Sequence, residues 1–146
     1  MSFAVDANVL VYASDETSVF RDRARDVVYE VAAGDELVYL FWPVVMAYLR
    51  IATHPTIFET PLQPAAALRN VERLLDLPQV QTAGEGRRFW RAYHRLATDA
   101  DARGNLVPDA HLVALMEENG VRTIWTHDRD FRRFPSIQVS DPFATV

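Results

Sequence analysis

Three aspartates sit where their neighbours give them no ordinary reason to be. Asp6 directly follows the apolar Phe3-Ala4-Val5, and Asp128 follows Thr123-Ile124-Trp125 with only Thr126-His127 between. Asp109 comes just after Pro108, in what reads as a first helical turn, and its i+3, i+4 and i+7 neighbours are Leu112, Val113 and Met116. It therefore falls on the apolar face of its helix. If these acids converge, two carboxylates ~4 Å apart repel by about 4 kcal/mol at an effective dielectric near 20, and a buried unpaired charge costs several more. Either arginine or a divalent cation must compensate. An all-oxygen donor set suits magnesium or manganese and not zinc. Singly, each acid also has a structural reading: Asp6 as an Asx turn or helix N-cap, Asp109 as a first-turn acid favoured by the helix dipole, Asp128 as a turn former.

The elements that position these acids follow from pattern. Phe3-Ala4-Val5 is a short apolar strand, followed by helical stretches at Asn8 to Ala13 and Val19 to Ala33, the second stopped by Gly34. Leu37 to Phe41 reads as a buried strand. Pro43 opens a helix over Val44 to Thr53, which ends before His54-Pro55, and Pro64 opens Ala65 to Leu75. Val80-Gln81-Thr82 is a weak strand, and Glu85 to Thr98 is a helix with Phe89, Ala92, Tyr93 and Leu96 on one side. Leu106 to Glu118 is the next helix, closed by Asn119-Gly120, and Arg122 to Trp125 and Ile137 to Val139 finish as strands. Apolar strands that do not alternate, separated by helices, predict an α/β fold: a three-layer α/β/α sandwich around a parallel sheet covered on both faces. Ligands of such sheets sit beyond the carboxyl ends of the strands. That edge is where Asp6 and Asp128 fall.

Composition narrows the chemistry further. At 146 residues, without repeat or linker, the chain reads as one domain over residues 1–146. It has no cysteine, which excludes thiolate nucleophiles, disulfides and Cys-ligated zinc. Its 15 basic residues are all arginine, so P-loop, Schiff-base and lysine-dependent phosphoryl chemistry are excluded too. A net charge of −5 argues against nonspecific coating of DNA, so any nucleic-acid contact must be local. No apolar run is long enough to span a membrane, and the N-terminus lacks the basic segment of a signal peptide, so the expected location is the cytoplasm.

Four segments in order, Val5-Asp6-Ala7-Asn8-Val9-Leu10, Leu49-Arg50-Ile51-Ala52-Thr53-His54-Pro55-Thr56-Ile57-Phe58, Asp109-Ala110-His111-Leu112 and Thr126-His127-Asp128-Arg129-Asp130-Phe131, together resemble the PIN domain, and within it the VapC-type toxins of type II toxin–antitoxin modules. The resemblance covers nearly the whole chain. It implies a metal-dependent endoribonuclease whose acids bind Mg2+ or Mn2+, an RNA substrate, a cognate antitoxin protein and a homodimer. The family's first acid falls on Asp6, its helix-start acid on Asp109, and its TxDxD acids on Asp128 and Asp130. A further family glutamate, three residues before an arginine, falls on Ala47, where the pattern breaks. The departure bears on the second metal and the turnover rate, and it admits a rival: a catalytically weak PIN-like module that acts by holding RNA or an antitoxin.

On this reading Asp6, Asp109 and Asp128 carry catalysis and metal binding, with Asn8, Thr126 and Asp130 in support. Asn8 reads equally as a hydrogen-bond donor to a metal-bound water or phosphate and as a helix cap. Thr126 is expected to orient Asp128 through its hydroxyl, Arg50 to pair with Asp130, and His127 to carry a proton near the metal. Arg132 and Arg133, beside Asp128, are the expected RNA phosphate contacts. Arg87, Arg88, Arg91 and Arg95 line one side of their helix, as a phosphate-binding stripe or as a solvated face.

Overall fold

The computed structural model describes residues 1–144. Within them lie β1 (Ser2–Val5), α1 (Ala7–Ser14), α2 (Arg21–Ala33), β2 (Leu37–Tyr39), α3 (Trp42–Ala52), α4 (Pro64–Leu75), β3 (Val80–Gln81), α5 (Phe89–Asp99), α6 (Leu106–Glu118), β4 (Thr123–Trp125) and β5 (Gln138–Ser140), with a 3₁₀ turn at Arg129–Arg133. The strands form one five-stranded sheet in the order β3-β2-β1-β4-β5, and every pairing is parallel. The α/β sandwich expected from the unbroken apolar strands is therefore present. Parallel neighbours need crossover connections, and their right-handedness puts α1 to α4 on one face and α5 and α6 on the other.

The order reverses direction between β1 and β4, which neighbour each other with Val5 opposite Trp125. A crevice opens at such a switch point, beyond the carboxyl ends of the two strands. Asp6 leaves β1 at that crevice, and its backbone N–H donates to the Trp125 carbonyl at 3.0 Å.

Helix boundaries follow local chemistry. Pro43 and Pro64 each occupy a first helical turn, where a missing N–H costs nothing. Gly120, at φ +67°, reverses the chain after α6 in a conformation that disfavours any side chain. α6 is the helix most nearly buried all round, with Ala110, Val113, Ala114, Leu115 and Met116 fully inaccessible between the sheet and α5. Tyr48 of α3 is also buried, and its hydroxyl is shared between Ser14 Oγ at 2.7 Å and Asn70 Nδ2 at 3.0 Å.

Four expectations shift. The helix expected from Glu85 begins only at Phe89, because the Glu118 carboxylate takes the backbone N–H groups of Gly86 and Arg88 at 2.9 and 3.2 Å. A Cβ at Gly86 would lie 2.6 Å from Glu118 Oε2, so a side chain there would push this carboxylate aside. β2 stops at Tyr39 with Leu37 exposed, and α3 starts two residues early at Trp42. Val19, expected in a helix, is exposed before α2 begins at Arg21.

Candidate active site

Asp6 is the N-cap of α1: its Oδ1 accepts the Ala7 N–H at 2.7 Å. Its other oxygen faces across the crevice to Thr126, whose hydroxyl donates to Asp6 Oδ2 at 2.7 Å. Thr126 is fully buried, and the same hydroxyl accepts the backbone N–H of Asp128 at 3.0 Å and Nδ2 of Asn8 at 3.1 Å. One donor and two acceptor positions are thus all used, the full capacity of a hydroxyl. Asn8 also reaches Asp6 Oδ2 at 3.4 Å and accepts the His127 N–H on its Oδ1 at 3.4 Å. Asn8 is a cross-brace between the ends of β1 and β4; the cap is Asp6.

Asp109 enters from the first turn of α6, and Asp128 caps the 3₁₀ turn by accepting the Asp130 N–H at 2.9 Å. Asp109, Asp128 and Asp130 each offer a carboxylate oxygen within 4.8 Å of the others. Asp6 stands beside them, close enough for its charge to act on Asp109. Burial, followed by the charges of Asp128, Asp6 and Asp130, pushes the Asp109 carboxyl up to about 7. Burial also raises Asp6, and the charge of Asp128 adds to that rise against the hydrogen bonds from Thr126 and Ala7.

Arginine does not relieve this repulsion. The contacts between acidic and basic side chains among the described residues are Arg23–Glu30, Arg95–Glu117, Arg103–Asp101, His111–Glu85 and His127–Asp141, and none includes an acid of this cluster. The expected Arg50–Asp130 pair is absent among them, and Arg50 is exposed on α3. Oxygen donors of this number and spacing fit a hard divalent ion. Ala47 is half-buried against the core and brings no oxygen.

Around the acids, His127 is not free to swing. Its Nδ1 meets Asp141 Oδ2 at 3.0 Å, and its ring is enclosed by Tyr12, Phe20 and Phe143, with centroids 6.2, 4.8 and 5.6 Å away. The Tyr12 phenol is pushed up by burial, then by the charges of Asp141, Asp6 and Asp128. Asp141 was missed from sequence, although the signal existed: it directly follows β5, as Asp6 follows β1. Arg132 and Arg133 are both exposed on the 3₁₀ turn that Asp128 caps. Glu118 was also missed, since nothing local marks a carboxylate at the end of one helix as the cap of another.

The model of the PIN domain matches residues 3–137. The chain is 50% identical to Ribonuclease VapC48 of Mycobacterium tuberculosis over 144 residues, 99% of each protein. Among solved structures, VapBC2 from Rickettsia felis, bound to a DNA fragment from its promoter, superposes with a TM-score of 0.68 at 17% identity, covering 96% of this chain and 98% of that one. Mycobacterium tuberculosis VapC20, a Sarcin-Ricin loop cleaving toxin, superposes at 0.66 with 15% identity over 89% and 92%. These two carry the fold, and the sequence relatives carry the family. With the acids gathered at the switch point of a parallel sheet and the match running nearly end to end, the chain belongs to the PIN-domain family, in its VapC ribonuclease branch.

Proposed function

We infer that this chain is a divalent-metal-dependent endoribonuclease and the toxin of a VapBC-type toxin–antitoxin pair. The observation that carries the metal-dependent reading is the trio Asp109, Asp128 and Asp130, with oxygens within 4.8 Å and no ion-pair partner among the described residues. Asp6, Asp109 and Asp128 would hold Mg2+ or Mn2+, with Asp130 joining from the capped turn. A bound ion of this type lowers the pKa of an attacking water and neutralises charge growing on the phosphate. The protein's own share is positional. Thr126 and Asn8 fix Asp6 and the Asp128 backbone at one separation, and Arg132 and Arg133 meet the phosphates of incoming RNA. The scissile phosphate brings further oxygens to a site where Ala47 supplies none.

A cognate antitoxin would have a built place to bind. A groove of about 500 Å³ runs between α1, α2, α3 and α4, with Leu10, Val28, Val71 and Leu74 in its lining and Arg21, Arg25 and Arg73 on its rim. Nε of Arg21 is buried there without a hydrogen-bond partner. An amphipathic acidic segment suits this lining. Trp42 and Met46, four residues apart on α3, are 41% and 55% exposed, and they support a homodimer through that face. No helix of the described residues is long and apolar enough to cross a membrane, in keeping with work on RNA in the cytoplasm.

The deciding experiment is RNA cleavage by the purified chain with manganese, with magnesium and with chelator. Cleavage that needs the ion supports the reading, and cleavage that survives chelation overturns the metal mechanism.

A further inference from the structure

Four of the chain's 15 basic residues, Arg87, Arg88, Arg91 and Arg95, gather in and just before α5, in a protein whose net charge is −5. The acids nearest them are already engaged. Glu118 accepts the N–H groups of Gly86 and Arg88, Glu117 pairs with Arg95, and Glu85 meets His111 at 2.6 Å. Arg87, Arg88 and Arg91 have no ion-pair partner among the described residues. These arginines, with Arg95, line one side of an open groove of about 470 Å³ whose other side carries Glu117 and Glu118 at the end of α6.

Outside the groove, on the adjoining outer side of α5, stands Trp90, 66% exposed. The core contact of α5 is made by Leu96, Phe89, Ala92 and Tyr93, so packing does not call for an indole at position 90. Its ring stacks on Tyr93 at 5.8 Å and 26°, and meets His94 edge-on at 6.2 Å. Neighbours therefore hold the indole in place while most of it remains open to solvent. At 3.6 residues per turn, Trp90, His94, Arg91 and Arg95 fan over about 140° of the outer side of the helix.

We propose that this outer face of α5 binds a single-stranded segment of RNA, a base stacking on Trp90 and the phosphates lying along Arg87, Arg91 and the groove. It rests on the ribonuclease reading above and extends the substrate path beyond the acids. An exposed aromatic platform beside arginines that are outside any ion pair is the combination that grips single strands without reading their sequence. A second copy of the chain fits less well, because a two-fold interface sets the same patch against itself and would oppose these arginines to their own kind. Phe89, which precedes Trp90, meets the His111 ring edge-on with centroids 5.1 Å apart, and His111 lies on α6, the helix that also carries Asp109.

The test is fluorescence anisotropy of a labelled single-stranded oligouridylate with the full chain in chelator, where cleavage is suppressed. Trp90→Ala should weaken binding by about fivefold or more, and Trp90→Phe should restore most of it. Arg87→Gln with Arg91→Gln should weaken binding and reduce the slope of log affinity against log salt by about 1.4, the release expected for two phosphates of a single strand. All three positions are solvent-facing, and unchanged thermal melting will show that the variants fold. Unchanged affinity and salt slope in folded variants would overturn the proposal. So would an unchanged RNA affinity accompanied by loss of a dimer in sedimentation, which would give the face to a second copy. If wild-type protein cleaves RNA with manganese while the α5 variants bind normally, only this proposal fails; if wild type neither binds nor cleaves, the ribonuclease reading fails with it.

Discussion

Thr126 and Asp6, 120 residues apart in the chain, are joined by a 2.7 Å hydrogen bond from a fully buried hydroxyl to a carboxylate. The bond exists because β1 and β4 are neighbours in register, with Val5 opposite Trp125, so the residue after each strand end faces the other. Its second consequence lies in the acceptors: the hydroxyl also takes the Asp128 N–H, so one oxygen sets the spacing of two acids.

Thr126→Val keeps the shape and removes that oxygen. It should cost about 1–3 kcal/mol, since buried donors and a carboxylate oxygen lose their partner, which lowers the melting temperature by several degrees in calorimetry. RNA cleavage should fall by about 10- to 100-fold, the usual range for residues that orient metal ligands. Thr126→Ser should recover both. Full activity in the valine variant would show that the acids hold their spacing without it.

Asp6→Asn and Asp109→Asn should each reduce cleavage by about a hundredfold or more without unfolding the protein. Each removes a charged donor and relieves repulsion in the same step, so metal-free stability should hold or rise for Asp109→Asn. Asp6→Asn keeps a cap oxygen for Ala7. A large drop in melting temperature for Asp109→Asn in metal-free buffer would instead make Asp109 a dipole-matching residue of α6.

The metal-free protein should lose stability as pH rises. Burial and three neighbouring acids lift the Asp109 carboxyl from an ordinary 3.8 to about 7, so the folded chain keeps a proton that the unfolded chain has released. The stability tied to that proton is complete below 3.8 and is lost as pH rises through about 7. Asp6, raised by burial, acts in the same direction. Denaturant titrations across this window should show the decline, with a flatter profile in Asp109→Asn. Because ligands must shed their protons, metal affinity should climb over the same range, and a flat binding profile in calorimetry would contradict this.

Arg132→Gln with Arg133→Gln should weaken RNA binding across sequences and lower its salt dependence, because fewer counterions are displaced. Both side chains are exposed on the turn capped by Asp128, so folding should be unaffected. An unchanged salt slope would assign them to solvent or to a protein partner.

Ala47→Glu asks what the missing acid does. With only aspartates in the cluster, the free protein should hold one ion weakly, on the order of millimolar affinity. An added carboxylate on α3 should tighten binding in the absence of RNA, measured by manganese paramagnetic resonance. If metal binding and cleavage both fall, the small side chain is making room and the site is built around aspartates alone.

Much of this protein was legible in the residue string because it rests on local chemistry. Leu106 to Glu118 reads as a helix with the boundaries it has, since Asn119-Gly120 ends it and apolar spacing defines its body. The parallel sheet follows from apolar strands separated by helices, and the positions of Asp6, Asp109 and Asp128 follow from their places at strand ends and on an apolar helix face. Other features depend on side chains from distant segments, and only the tertiary structure decided them. Arg50, on the expected face of α3, extends into solvent instead of pairing with Asp130. Asp141 holds His127 because β5 ends beside β4, and Glu118 caps α5 because the two helices pack antiparallel. The physical reason is one of range. Propensity, capping and periodicity act over a few residues and are written in sequence neighbours, whereas hydrogen bonds across the crevice depend on strand register and side-chain direction, which exist only once the sheet has formed.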